Sequence, residues 1–267
     1  MHEPRRGRIT DLATLLELEV IDRDLFRAQN GDHGDARHSI YGGQVAAQAL
    51  RAAGLTVPDD RHPHSLHGYF LRPGAPDHPV ILQVDRDRDG RSFSARHVRA
   101  VQHGEVIFSM LASFHVDEPS AERDDIPAPD VPGPSDTQPH GWDRLLDIRE
   151  LHRTDFQTNR HSNRMWVRSA QPLPDDRLVH ACALTYVSDL GSGFGQIDGP
   201  VEIPRGGPSI DHALWFHAPL QIDDWVLVDL YPAKAGGSRG LYHGSIRDRS
   251  GTLGALIGQE LLLRPYR

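Results

Sequence analysis

Laid over itself at an offset of 146 residues, the chain repeats three landmarks without a gap. Phe70-Leu71-Arg72-Pro73 falls on Phe216-His217-Ala218-Pro219, Gly90-Arg91-Ser92 on Gly236-Gly237-Ser238, and Ile107 to Phe114 on Leu253 to Glu260, which makes Ser113 the counterpart of Gln259. Ordered landmarks at one spacing mark an internal duplication, so the chain is expected to fold as two copies of one unit. Between the copies, DEPSAERDDIPAPDVPGPSDTQPHG carries six prolines and several acids with hardly a large apolar residue, which is the composition of a linker or surface crossing. The expected division is a first module over residues 1–116, a Pro- and acid-rich linker over 117–141, and a second module over 142–267.

Each copy reads the same way. Gly43 to Ala53 is rich in Ala, Gln and Leu and ends at Gly54, the pattern of one small-faced helix stopped by a glycine. β-branched and aromatic stretches follow at His67 to Leu71, Val80 to Asp87, Phe93 to Val101 and Val106 to Val116, with turns at Arg88-Asp89-Gly90 and Gln102-His103-Gly104. The second half repeats them at His212 to His217, Trp225 to Tyr231, Gly240 to Arg247 and Leu253 to Leu263. One helix followed by a long antiparallel meander, done twice, predicts an α+β fold in which a sheet wraps a helix in each half. Strands and helices do not alternate as a doubly wound parallel sheet requires.

Composition narrows the function classes. A single thiol, Cys182, permits no intrachain disulfide and no four-thiolate metal site, so the cytoplasm is the expected location. The opening MHEPRRGRIT has no apolar core of a secretory signal, and the longest apolar stretches fall short of the roughly 18 to 20 residues that span a bilayer. A net charge of -8 repels nucleic acid.

Several motifs have ordinary explanations. Gly236-Gly237-Ser238-Arg239-Gly240 matches the nucleophile pattern of an α/β-hydrolase, but LYHGSIRDR follows it, so the serine enters a strand and not a helix. Gly191 to Gly195 follows no convincing strand of a dinucleotide fold. His62, His64 and His67 form the densest histidine group without a metal-site pattern, so no metal is expected. Three polar residues stand in apolar surroundings in the second half. Asp189 follows the apolar lead-in Leu184 to Ser188 and is read as a cap of the second half's helix; Ser209 opens a strand; Gln259 lies among Leu, Ile and Gly. Taken singly, these are a helix cap, a strand-edge hydroxyl and a satisfied core amide.

Taken together, the text resembles the acyl-CoA thioesterase II family of double-hotdog proteins. The resemblance is carried by Leu25-Phe26-Arg27, Tyr41-Gly42-Gly43-Gln44-Val45, His64-Ser65-Leu66-His67 with Tyr69 to Gly74, Asp89 to Arg96, Ala112-Ser113-Phe114, Tyr186 to Leu190, Ile210 to His217 and Gly258-Gln259-Glu260, in family order from about Leu15 to the C-terminus. It implies two fused hotdog modules and hydrolysis of acyl-CoA to a fatty acid and free CoA. Matched position by position, it places the family's catalytic aspartate on Asp189, its glutamine on Gln259 and its hydroxyl residue on Ser209, where threonine is commoner. These residue types suit the chemistry: a thioester carbonyl is electrophilic, and a positioned water, a carboxylate to take its proton and donors for the oxyanion suffice. Helix-terminal amides near Gly42 and Gly43 suit the oxyanion or a phosphate.

The resemblance implies no cofactor; its implied partners are acyl-CoA and further copies of the chain. Where the family usually has bulkier residues after Ser188-Asp189-Leu190, this chain has Gly191-Ser192-Gly193-Phe194-Gly195, which is expected to widen the acyl pocket. Two alternatives stand beside hydrolysis. One is a hotdog hydratase or dehydratase acting on enoyl- or hydroxyacyl-CoA, which needs an Asp and His pair; no matching spacing follows Asp189. The other is a non-catalytic acyl-CoA-binding protein.

Overall fold

The computed structural model describes residues 9–30, 39–140, 143–151, 163–192, 194 and 207–264. The first half contains α1 (Leu12–Leu15), β1 (Leu18–Asp22), β2 (Leu25–Ala28), α2 (Gly42–Gly54), β3 (Arg61–Phe70), β4 (Val80–Asp89), β5 (Phe93–Gln102) and β6 (Glu105–Val116). The second contains β7 (Gln138–His140), β8 (Leu146–Leu151), β9 (Asn163–Ser169), α3 (Arg177–Ser188), β10 (Asp211–Phe216), β11 (Val226–Gly236), β12 (Arg239–Asp248) and β13 (Leu253–Leu262). Among the described residues these strands form one 13-stranded sheet in the order β1-β2-β4-β5-β6-β3-β10-β13-β12-β11-β9-β8-β7. Six strands on one side of the β3–β10 seam are matched in order by six on the other, with β7 added at the far edge; at the seam Asp211 to Trp215 pair antiparallel with Tyr69 to Ser65. The fold is thus a double hotdog, two antiparallel sheets joined edge to edge and each wrapped on a helix.

The helices lie on one face of the sheet. In α2, Ala46, Ala47, Ala49, Ala52 and Ala53 are all fully buried, and so many small side chains let α3 pack directly beside it. The helices run antiparallel: Arg51 near the end of α2 meets Asp176 at the start of α3 (3.3 Å), and Tyr41 at the start of α2 donates to the Tyr186 carbonyl near the end of α3 (2.9 Å). The strands alternate as half-buried strands must, with Val80, Leu82 and Val84 facing the core from β4 and Phe108, Met110, Ala112 and Phe114 from β6. No helix among the described residues is long and apolar enough to cross a membrane.

Three expectations are corrected. Leu184 to Ser188 are not a lead-in to the second helix but its last turns, and Asp189 follows its end. The start signal lies earlier, at Asp176, whose carboxylate accepts from the Leu178 and Val179 amides. The match of Gln259 to Ser113 also fails by one residue. Ala100 pairs with Phe108, but Ile246, 146 residues on, pairs with Ala255, 147 residues on. The turn between β12 and β13 therefore holds one more residue, and the shift exchanges the faces of the last strand. Gln259 is buried with Ala255, Ile257 and Leu261, so its counterpart is the buried Ala112; Ser113 points to the opposite face, 2.8 Å from His64 Nε2. Finally, β1, β2, β7, β8 and β9 flank the meanders on both sides, although their short sequences did not announce them.

The Pro-rich stretch does not hang free. Its Pro132 carbonyl accepts from Trp166 Nε1 (2.8 Å), Asp124 pairs with the buried Arg247 (2.7 Å), and Gln138 to His140 pair with β8. Gly237 and Ser238 both take positive φ (59° and 61°) in the hairpin between β11 and β12, so Ser238 is a turn residue entering a strand.

Candidate active site

Asp189 stands where α3 ends, and its carboxylate reaches the start of the other half's helix, α2, where the Gly43 amide favours its charged form. The negative end of α3 is a poor place for a carboxylate; the positive end of α2 is a good one. This approach depends on a missing side chain: a Cβ on Gly42 would stand 2.6 Å from Asp189 Oδ2. Gly43 is equally constrained, since its Cβ would meet the Tyr186 carbonyl at 2.5 Å and the Tyr41 ring at 2.6 Å. The expected helix-terminal amides near Gly42 and Gly43 therefore lie at the site.

The three expected residues meet. Gln259 Nε2 donates to Asp189 Oδ1 (2.8 Å) and to Ser209 Oγ (2.6 Å), and the Ser209 hydroxyl donates to Asp189 Oδ1 (3.2 Å). Ser209 is held beside β13 by a bridge to Leu261, and Gln259 is nearly fully buried on that strand. Burial pushes the Asp189 carboxyl above the usual carboxylate range, against His212, Gln259, Ser209 and the Gly43 amide, which favour the charged form.

Two residues that sequence reasoning passed over stand behind Gln259. His212 Nδ1 contacts Gln259 Oε1, and His212 Nε2 lies 2.7 Å from Ser188 Oγ. Both are buried, and burial holds the imidazole below its ordinary pKa. The available signal was parity: on β10, His212 shares the inward face with Leu214.

Asp189, Ser209 and Gln259 line a cavity of about 1030 Å³. Its first-half wall is Tyr41, Val45, Phe70, Ile107 and Phe108; the second half adds Phe194 and Leu261, and Arg72, Asn163 and Ser192 supply polar lining. The polar trio thus belongs to the second half, while much of the apolar wall belongs to the first. In the glycine-rich stretch, Gly191 takes φ +72° and Phe194 is buried against the cavity; Gly193 and Gly195 lie outside the described residues.

Models of the acyl-CoA thioesterase N-terminal and C-terminal domains match residues 30–115 and 123–263. Acyl-coenzyme A thioesterase 8 of Mus musculus is 35% identical, over 95% of this chain and 88% of the mouse protein. Acyl-CoA thioesterase 2 of Haemophilus influenzae is 33% identical, over 96% and 98%. Among solved structures, the acyl-CoA thioesterase II TesB2 of Mycobacterium marinum has a TM-score of 0.82 at 37% identity, covering 96% of this chain and 98% of that one.

Proposed function

Because this chain belongs to the acyl-CoA thioesterase family, we propose that it hydrolyses acyl-CoA to a free fatty acid and CoA, using a water held by Asp189, Gln259 and Ser209. The observation that carries the reading is the convergence of Gln259 and Ser209 on one oxygen of a buried carboxylate in an apolar cavity. Both side chains donate to Oδ1, and we assign proton uptake to Oδ2, which lies over Gly42. Water attacks the thioester carbonyl carbon as its proton passes to Asp189. The tetrahedral intermediate then expels the thiolate, and Asp189 returns the proton to sulfur, so no acyl-enzyme forms. The positive end of α2 supports the developing oxyanion.

Carboxylate burial serves this chemistry, since a base with a raised pKa accepts a proton more readily. The test is thiol release from short- to long-chain acyl-CoAs by wild type and Asp189→Asn. Release by wild type that falls roughly 10² to 10⁴-fold in the variant is expected, the usual scale for a general base. Unchanged turnover in the folded variant would sink the assignment.

The division at residues 1–116, 117–141 and 142–267 belongs to the same reading; β6 ends at Val116, in support of the first boundary, whereas Gln138 to His140 at the end of the linker join the second half's sheet. Cytoplasmic placement is supported by the buried free thiol of Cys182. Assembly with further copies is supported by exposed Tyr69, Leu111 and Trp215 on strands around the seam.

A further inference from the structure

The internal duplication supplies a control for every residue of the site. His212 and Gln259 sit side by side on β10 and β13, inside the second half. The same two places in the first half, on β3 and β6, hold Leu66 and Ala112, which pair with each other and are fully buried. The fold therefore accepts an apolar pair at this point of the sheet. A buried imidazole and amide need partners that an apolar pair does not, so their presence in one half only calls for a reason beyond folding.

Hydrogen-bond direction gives that reason. Gln259 Nε2 spends both its protons on Asp189 and Ser209, so Oε1 must accept. It faces His212 Nδ1, which therefore carries a proton, while the Ser188 hydroxyl lies 2.7 Å from His212 Nε2 and 2.8 Å from the Thr185 carbonyl and holds the ring from behind. Whichever way the Ser188 proton points, the Gln259 amide keeps one orientation. Turning the amide over would set Oε1 against the Asp189 carboxylate and its NH₂ against the Nδ1 proton.

We propose that His212, held by Ser188, is a positioning residue that fixes the amide orientation of Gln259 and thereby aims Asp189 and Ser209 at the water. The proposal rests on the thioesterase reading of the site and goes beyond it, since His212 reaches the water only through Gln259.

Without the imidazole, Oε1 is left buried without its donor, and the amide rotates away to find one. A misplacement of about 1 Å costs on the order of 10²-fold in rate. His212→Leu copies the side chain that the first half uses and is expected to fold with a melting temperature no lower than wild type. Its kcat should fall roughly 10²-fold with KM little changed. His212→Asn places an amide N–H where Nδ1 stood and should restore kcat to within about tenfold of wild type.

Thiol release measured on wild type, His212→Leu, His212→Asn and Asp189→Asn separates the outcomes. Loss in His212→Leu with recovery in His212→Asn supports the proposal. A wild-type kcat in His212→Leu while Asp189→Asn collapses overturns it and leaves the role of Asp189 standing. Equal losses of kcat and melting temperature in both His212 variants also overturn it, because that is how a merely structural residue behaves. Turnover that survives Asp189→Asn overturns the reading of the site and the proposal with it. Should His212→Leu not fold, Ser188→Ala decides: lower kcat at unchanged KM supports the proposal, and wild-type kcat overturns it.

Discussion

Burial makes a charge on Asp189 costly to the fold. Its folded pKa lies above the unfolded value of 3.8, chiefly through burial, so its contribution to stability is fully present below that value and is lost as pH rises through the folded pKa. Asp189→Asn keeps an acceptor for Gln259 and Ser209 without the charge. We expect the variant to melt above wild type at neutral pH, with the difference shrinking toward pH 4; melting curves at pH 4 and pH 8 check this, and a lower melting temperature at pH 8 contradicts it. Stability gained where activity is lost is a common relation at active sites. At Gly42 the same carboxylate leaves no room for a methyl group. Gly42→Ala should therefore displace it and lower kcat roughly 10²-fold, although alanine is the better helix former. Steady-state kinetics with a parallel melt will show whether the loss is catalytic.

At the level of elements, the site depends on a register. The turn Arg249 to Thr252 holds one residue more than its first-half counterpart would supply, and that residue puts Gln259 on the inward face. Deleting one residue of this turn is predicted to move β13 by one position or to strain the hairpin, and in either case to abolish thiol release. A deletion variant with wild-type turnover would show that the strand has another way to keep its face. The helices matter in the same manner. The end of α3 meets the start of α2 because the helices are antiparallel, and this brings a second-half carboxylate to a first-half amide.

Over the whole molecule, the duplication matches six strands to six, with β7 in addition, but is asymmetrical in chemistry. The first-half counterparts of Asp189, Ser209 and Gln259 are Leu55 at the end of α2, Pro63 on β3 and Ala112 on β6, none with a side chain that can take a proton. Leu178 fills the space beside Gly54, where its atoms stand 2.4 Å from a Cβ built on that residue. We accordingly expect one binding site per chain. Calorimetric titration with a non-hydrolysable acyl-CoA analogue tests this; a stoichiometry of two would mean that the first-half position also binds.

By itself the sequence determined the duplication and the two antiparallel meanders, and it was the family resemblance that joined Asp189, Ser209 and Gln259 into one site. Periodicity and turn residues act locally, and Asp189, Ser209 and Gln259 stand out against apolar neighbours in the text. The short strands β1, β2 and β7 to β9 were not legible, because strands of a few residues are held by their partners more than by their own pattern. The helix before Asp189 was misplaced because an apolar lead-in and an apolar last turn look alike without the Asp176 cap. Only the tertiary structure decided that Gln259 faces inward, that His212 and Ser188 stand behind it, and that Gly42 makes room for a carboxylate from the other half. Each of these is a relation between residues far apart in the chain, set by strand register and helix packing, and no local pattern encodes such distances.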